Sequence, residues 1–305
     1  MDPAYAYVEL SRYDLGLLRL GGPGLGNLLF PWARAVVACG RHGLVPLATT
    51  WPQVKLGPLL RRERDLRSYV GIFRRAPAEL GGLRRALVRL RAVRLGEERL
   101  GQPGVATGRP RMFVFRGMDQ LFAPIREQHD LVRSSLLAIT RPAHRPPPPV
   151  EPFLAVHVRL GDFAPADEAR TRKGDWSHRV DLAWYAEAIT RLRRVVPSVR
   201  VELFSDGSDA ELARLLALPG VVRAVETSAM ASLWRMSQAA GLVASGSSFS
   251  MWAGYLGRMP VVWPVGQLRL PLHDDALTEV EFDGRAPWAG GFDERVLAAV
   301  RQRQA

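Results

Sequence analysis

Along the second half of the chain, short apolar runs alternate with stretches whose apolar positions recur every three or four residues. The run Phe153-Leu154-Ala155-Val156-His157-Val158 lacks polar alternation, the mark of a strand buried on both faces of a parallel sheet. Residues 199–204, 221–225, 241–244 and 261–263 read the same way. Helices are expected between them. Asp181 stands where it can cap residues 182–194, and Ser208 with Glu211 three positions on forms a capping-box pattern ahead of 212–216. Thr227 or Ser228 opens another helix that stops near Gly241, and Ser247 or Ser248 opens one that stops near Gly257. Strand and helix alternation at these lengths predicts a doubly wound parallel sheet, whose ligands sit at the carboxyl ends of the strands.

The first half is less regular. Residues 15–20 read as a strand, followed by Gly21-Gly22-Pro23-Gly24-Leu25-Gly26-Asn27 and an apolar helix over 28–38 ending at Gly40. Met112 to Phe115 reads as a further strand of a second α/β domain. Helical spacing over 83–95 sets a basic face opposite Leu83, Leu87, Leu90 and Val93. It reads as a solvated surface helix, with peripheral docking on an acidic membrane as the alternative. Between the halves, the proline-rich stretch from Arg141 to Pro152 continues neither a helix nor a central strand. The expected organisation is an N-terminal α/β domain over 1–141, a linker over 142–152 and a C-terminal Rossmann-like domain over 153–305.

Composition narrows the class. A chain of 305 residues with 47% hydrophobic and 24% charged residues is globular, which excludes wholesale disorder. No run of about 18 uncharged apolar residues occurs, and the opening segment carries Asp2 and Glu9, so neither a signal peptide nor a membrane anchor is expected. The single Cys39 excludes an intramolecular disulfide and a cysteine-rich zinc site, and fits the cytoplasm. The net charge of +12 invites a polyanionic partner, yet the arginines are dispersed and accompany no nucleic-acid motif. No specific nucleic-acid binding is expected.

Three strand ends finish in polar clusters. In His157-Val158-Arg159-Leu160-Gly161-Asp162, alternation puts His157 and Arg159 on one face. Arg159 there suits an anionic oxygen pair, or pairs with Asp162 to close a turn. Ser205 and Asp206, before Gly207 and Ser208, serve either chemistry or turn and cap formation. In Ser245-Gly246-Ser247-Ser248-Phe249-Ser250-Met251-Trp252, small hydroxyl residues open a helix whose N-terminus suits a phosphate, and they exceed what one cap needs. The glycine loop at 21–27 lacks the Lys-Ser/Thr of a phosphate-binding P-loop and the G-x-G-x-x-G spacing of a dinucleotide site. No H-E-x-x-H, G-x-S-x-G or strand-end D-x-D occurs, and His273-Asp274-Asp275 reads as an exposed loop rather than a metal site.

Taken in order, these segments resemble the alpha-1,2-fucosyltransferase family and its relatives, the alpha-1,6- and protein O-fucosyltransferases. His157 to Asp162 is similar to the family's H-x-R-x-G-D-like motif, and Phe204-Ser205-Asp206 to its phenylalanine-serine-aspartate segment. Residues 246–252 resemble its serine-rich aromatic motif. Gly22 to Phe30 resembles the N-terminal glycine signature, and Trp184 to Ile189 the tyrosine-rich helix. Leu160 stands where many members have a second arginine, while Gly246 and Met251 replace an asparagine and a tryptophan. Residues 5–12 and 51–122 match none of the motifs.

The resemblance implies a GT-B-like α/β fold, two Rossmann-type domains facing across a cleft. It also implies inverting transfer of L-fucose from GDP-fucose to a glycan or glycolipid hydroxyl, without metal or other cofactor. In that reading Arg159 receives the β-phosphate with Ser247 and Ser248, and His157 contacts the nucleoside. Phe249 stacks near guanine, Ser205 and Asp206 lie by the donor, and Gly24, Gly26 and Asn27 reach phosphate or sugar from the facing domain. Asp167, ten residues after His157, holds the position of a general base in the alpha-1,6 relatives. The alternatives are a GT-B transferase for another nucleotide sugar, or a non-catalytic polyanion-binding or scaffold protein.

Overall fold

A computed structural model describes residues 3–55, 67–102, 108–161, 163–175, 178–275, 278–288 and 290–304. The chain divides into two compact units, Met1–Arg145 and Pro146–Ala305.

Unit 1 contains β1 (Ala4–Val8), β2 (Tyr13–Asp14), β3 (Arg19–Leu20), α1 (Leu25–His42), β4 (Val45–Pro46), β5 (Gln53–Val54), α2 (Gly82–Arg91), β6 (Val93–Gly96), β7 (Arg111–Phe115) and α3 (His129–Ile139). Its main sheet is parallel, in the order β4-β1-β7-β6. The central strand β1 lies in a segment that no sequence motif covered, and its Ala6, Tyr7 and Val8 are buried. The strand expected over 15–20 shrinks to β3 in a small sheet with β2 and β5, because Leu15 and Leu18 close a turn and Leu15 and Leu17 are exposed. Helix α1 starts before Leu28 and runs through Gly40 to His42, where Gly43 at φ 63° ends it. The helix expected over 83–95 ends at Arg91. Ala92 turns extended, and Val93–Gly96 pair with β7 as an edge strand.

Unit 2 contains β8 (Phe153–Val158), α4 (Glu168–Arg172), α5 (Leu182–Val195), β9 (Arg200–Ser205), α6 (Asp209–Leu216), β10 (Val221–Arg223), α7 (Ala229–Ser237), β11 (Gly241–Val243), α8 (Ser248–Gly257), β12 (Val261–Pro264), β13 (Glu279–Phe282) and α9 (Phe292–Gln304). All six strands are parallel, in the order β10-β9-β8-β11-β12-β13. The order reverses between β8 and β11, which makes that position the topological switch point of a Rossmann sheet. Leu154, Val156 and Val158 share one buried cluster with Tyr185, Ile189 and Leu192 of α5. That apolar packing fixes the height at which β8 ends. Strand β13 escaped the sequence reading because acids interrupt it. Glu279 is buried and accepts from the Trp263 indole at 3.2 Å and the Leu272 amide at 2.6 Å.

Candidate functional site

Loops leave the carboxyl ends of β9, β8 and β11 side by side around the switch point. His157, opposite Phe204 in the sheet register, is buried there. Its Nδ1 lies 2.7 Å from Ser250 Oγ and 3.2 Å from Ser245 Oγ. Ser250 Oγ also accepts from the Ser245 amide at 3.1 Å, and Ser245 Oγ donates to Ser247 Oγ at 3.0 Å. Two serines therefore hold one edge of the imidazole, with Ser247 behind them, and Nε2 takes part in none of these contacts. Burial lowers the His157 pKa to about 4, with Arg159 adding to it and the Asp206 charge opposing. The ring is neutral near pH 7. The Phe249 ring lies 5.3 Å from it.

Ser247 caps α8, its Oγ accepting from the Ser250 amide at 3.4 Å. The cap and the polar site coexist, since Ser245 and Ser250 serve His157 while Ser247 and the half-buried Ser248 open the helix. The first turn of α8 carries no acid of its own to offset the positive end of its dipole.

Arg159 follows the end of β8 and pairs with Asp206. Nη1 donates to Asp206 Oδ2, and Oδ1 accepts from the Leu160 amide at 2.8 Å. A Cβ on Gly161 would stand 2.2 Å from that carboxylate, so glycine is what lets Asp206 approach. The sequence offered an Arg159–Asp162 pair as the alternative to a ligand role; Asp162 lies outside the described residues, and among those described Arg159 pairs with Asp206. In the neighbouring segment Ser208 and Glu211 form the expected capping box. Ser205 Oγ accepts from the Gly207 amide at 3.0 Å, a local turn contact.

Two arginines absent from the sequence reading brace these loops. Arg179 Nε donates to the carbonyls of Leu160 at 2.9 Å and Phe163 at 3.2 Å, and Arg223 Nη2 to those of Ser205 at 2.9 Å and Gly207 at 2.8 Å. Neither sits in a motif. Among so many dispersed arginines, nothing local in the sequence marked them.

Other expected residues lie in other elements. Asp167 is the N-cap of α4, its Oδ1 accepting from the Arg170 amide at 3.0 Å. Gly24, Gly26 and Asn27 belong to unit 1, at the start of α1. Gly24 is the N-cap, without a side-chain cap bond, and its carbonyl accepts from the Asn27 amide at 3.1 Å. The preceding Gly22, at φ 125°, lies over the buried Arg19, whose Nη1 would meet a Cβ at 2.2 Å.

The departures from the family pattern are packing positions. Leu160 and Met251 are buried. At Gly246 a Cβ would stand 2.0 Å from Gln267 Oε1. Gln267 is buried and donates to the Thr171 carbonyl at 2.7 Å, so its amide fills the space that a larger residue 246 would need.

Unit 1 also holds a cavity of about 610 Å³ whose lining includes Glu9, Arg34, Arg94, Glu97, Arg116 and Asp119. Arg34 grips Glu97 at 2.8 and 2.9 Å, and Arg94 pairs with Glu9 at 2.6 Å. His273 contacts the Gly254 carbonyl at 3.1 Å and Asp275 pairs with Arg295 at 2.6 Å. Among the described residues, no group of three or more His, Cys, Asp or Glu gathers where a metal ion could sit. No described helix is long and apolar enough to cross a membrane.

Residues 116–262 match the model of Glycosyl transferase family 11. The span contains four of the five motifs that carry the fucosyltransferase resemblance, all but the glycine signature, and the match bears that resemblance out. No curated protein matches the chain. Among solved structures, NodZ alpha-1,6-fucosyltransferase soaked with GDP-fucose is 13% identical, with 95% of this chain and 98% of that chain covered at a TM-score of 0.52. Fucosyltransferase NodZ from Bradyrhizobium is also 13% identical, covering 95% of this chain and 99% of that chain at 0.51. The fold is thus α/β with parallel sheets and GT-B-like.

Proposed function

We propose that the chain, a glycosyltransferase of the family 11 kind, transfers L-fucose from GDP-fucose to a glycan hydroxyl with inversion. The observation that carries this reading is the meeting of Arg159–Asp206, the serine-held His157 and the start of α8 at the switch point of a Rossmann sheet. The acceptor oxygen attacks the anomeric carbon from the face opposite the diphosphate. The bond from that carbon to the phosphate oxygen breaks, and negative charge grows on the leaving diphosphate. A guanidinium oriented by Asp206 and the positive end of α8, with Ser247 and Ser248, stabilise that charge more in the transition state than before it. Protein groups in this reading do the work that a metal ion does elsewhere.

Neutral His157 hydrogen-bonds the nucleoside, with Phe249 beside the base and Ser205 near the ribose. Gly24, Gly26 and Asn27 also serve the donor in this reading. The acceptor proton passes to Asp167 or to the leaving phosphate. Asp167→Asn separates these, because asparagine caps a helix about as well as aspartate. A slower transfer assigns the proton to Asp167, and unchanged transfer assigns it to the phosphate.

The polar lining of the unit 1 cavity suits a polyhydroxyl acceptor, whose hydroxyls can bond carboxylates and guanidinium groups together. Titration of GDP, UDP and dTDP into the full chain tests the donor. Preference for GDP, with hydrolysis of GDP-fucose above other GDP-sugars, is expected. Preference for UDP overturns it.

A further inference from the structure

Helix α2 is inside out relative to its sequence pattern. Arg85, on the face opposite the leucines, is buried and donates to Asp14 Oδ2 at 2.6 Å, Thr50 Oγ1 at 2.8 Å and the Gly16 carbonyl at 3.2 Å. One turn on, Arg89 donates to the Asp14 carbonyl at 3.2 Å and sets its guanidinium 5.0 Å from the centre of the Tyr7 ring. The basic face that the sequence assigned to solvent is therefore largely internal. The leucines face outward instead, with Leu83 85% and Leu90 79% exposed and Leu87 exposed beside them. The segment from Tyr13 to Leu20, tied to α2 through Asp14 and Gly16, adds Leu17 at 89% and Leu15 at 69% exposure.

Charge selects the occupant. Arg84 and Arg91 are exposed on α2 and flank the leucine stripe at helical spacing, and Arg12 is exposed just ahead of Tyr13. The one acid in residues 11–20 and 82–91 is Asp14, whose side chain is buried against Arg85. A second copy of this face would set arginine against arginine. An anionic bilayer satisfies both features, with acyl chains receiving the leucines while lipid phosphates meet guanidinium groups at headgroup depth.

We propose that the face formed by α2 and residues 13–20 docks unit 1 onto an anionic lipid surface without spanning it. The proposal stands on this face alone and needs no donor assignment. The docked face would bring the enzyme to acceptors carried in a bilayer.

The test is co-sedimentation of the full chain with phosphatidylcholine vesicles, with and without about 30% phosphatidylglycerol. Binding to the anionic vesicles at least about tenfold tighter than to the neutral ones, weakened by salt, is expected. Leu83→Ser/Leu90→Ser should lower that binding about tenfold or more with an unchanged melting temperature, because both side chains are already mostly in water. Arg84→Glu/Arg91→Glu should lower both binding and its salt dependence. Wild-type chain that ignores anionic vesicles, or a leucine variant that binds them like wild type, overturns the proposal. So does a vesicle-free dimer in sedimentation velocity that the leucine variant dissociates, which would give the face to a second copy.

Discussion

In unit 2 the buried strands are apolar, and polar groups gather where the strands end: Val156 and Val158 lie in the core, while His157, Arg159 and Asp206 meet at the carboxyl ends of the central strands. In unit 1 Arg19, Arg34 and Arg85 are themselves buried and bonded to carbonyls and to Glu97 and Asp14, while six leucines of α2 and residues 13–20 face solvent. Hydrophobic patterning organises unit 2, and ion pairs organise unit 1. The contrast separates a region built to position chemistry from one whose surface is shaped to meet something else.

The largest expected effect breaks this contrast from the ionic side. Asp14→Ala strands the buried Arg85 and should cost about 3–5 kcal/mol in urea unfolding, with GDP affinity at the unit 2 site unchanged. A cost below about 1 kcal/mol would mean that the ion pair does not organise unit 1. The next effect belongs to unit 2. His157 titrates near 4 in the fold and near 6.5 when unfolded. Between those values the unfolded chain binds the extra proton, so stability is complete above about pH 6.5 and falls as pH drops toward 4, by about 3 kcal/mol. His157→Gln should flatten that slope in pH-dependent urea melts, and a slope that survives would place its origin elsewhere.

The smallest effect distinguishes two caps. Ser208→Ala and Ser247→Ala should each cost about 1 kcal/mol of stability. The Ser247 change alone should also weaken GDP, and equal GDP affinities for the two variants would reduce Ser247 to a cap.

Unit 2 was legible because its strands are wholly apolar and its caps are chemical signals. Asp181, Ser208, Ser228 and Ser247 each cap the helix whose start they were expected to mark. Strand β13 was not, since Glu279 and Glu281 spend their carboxylates on backbone amides within a strand that looks polar. In unit 1, a helix that buries Arg85 reads backwards on any hydrophobic scale, and β1 looks like any short tyrosine-rich segment.

The site followed the same division. Residue types at strand ends marked His157, Arg159 and Asp206, but the Arg159–Asp206 pair depends on Gly161 admitting the carboxylate from beyond the neighbouring strand, a contact across 47 positions. The altered Gly246, Leu160 and Met251 weigh little toward a scaffold role, because each is accommodated by local packing.

The central claim is that Arg159, oriented by Asp206, receives the donor's diphosphate. Calorimetric titration of GDP into wild-type chain and Arg159→Ala, beside guanosine as a ligand without phosphate, tests it most directly. The account predicts about a hundredfold loss for GDP, the scale of about 3 kcal/mol for a charge-assisted contact, with guanosine binding and melting temperature unchanged. Equal GDP affinity in the two proteins would contradict it.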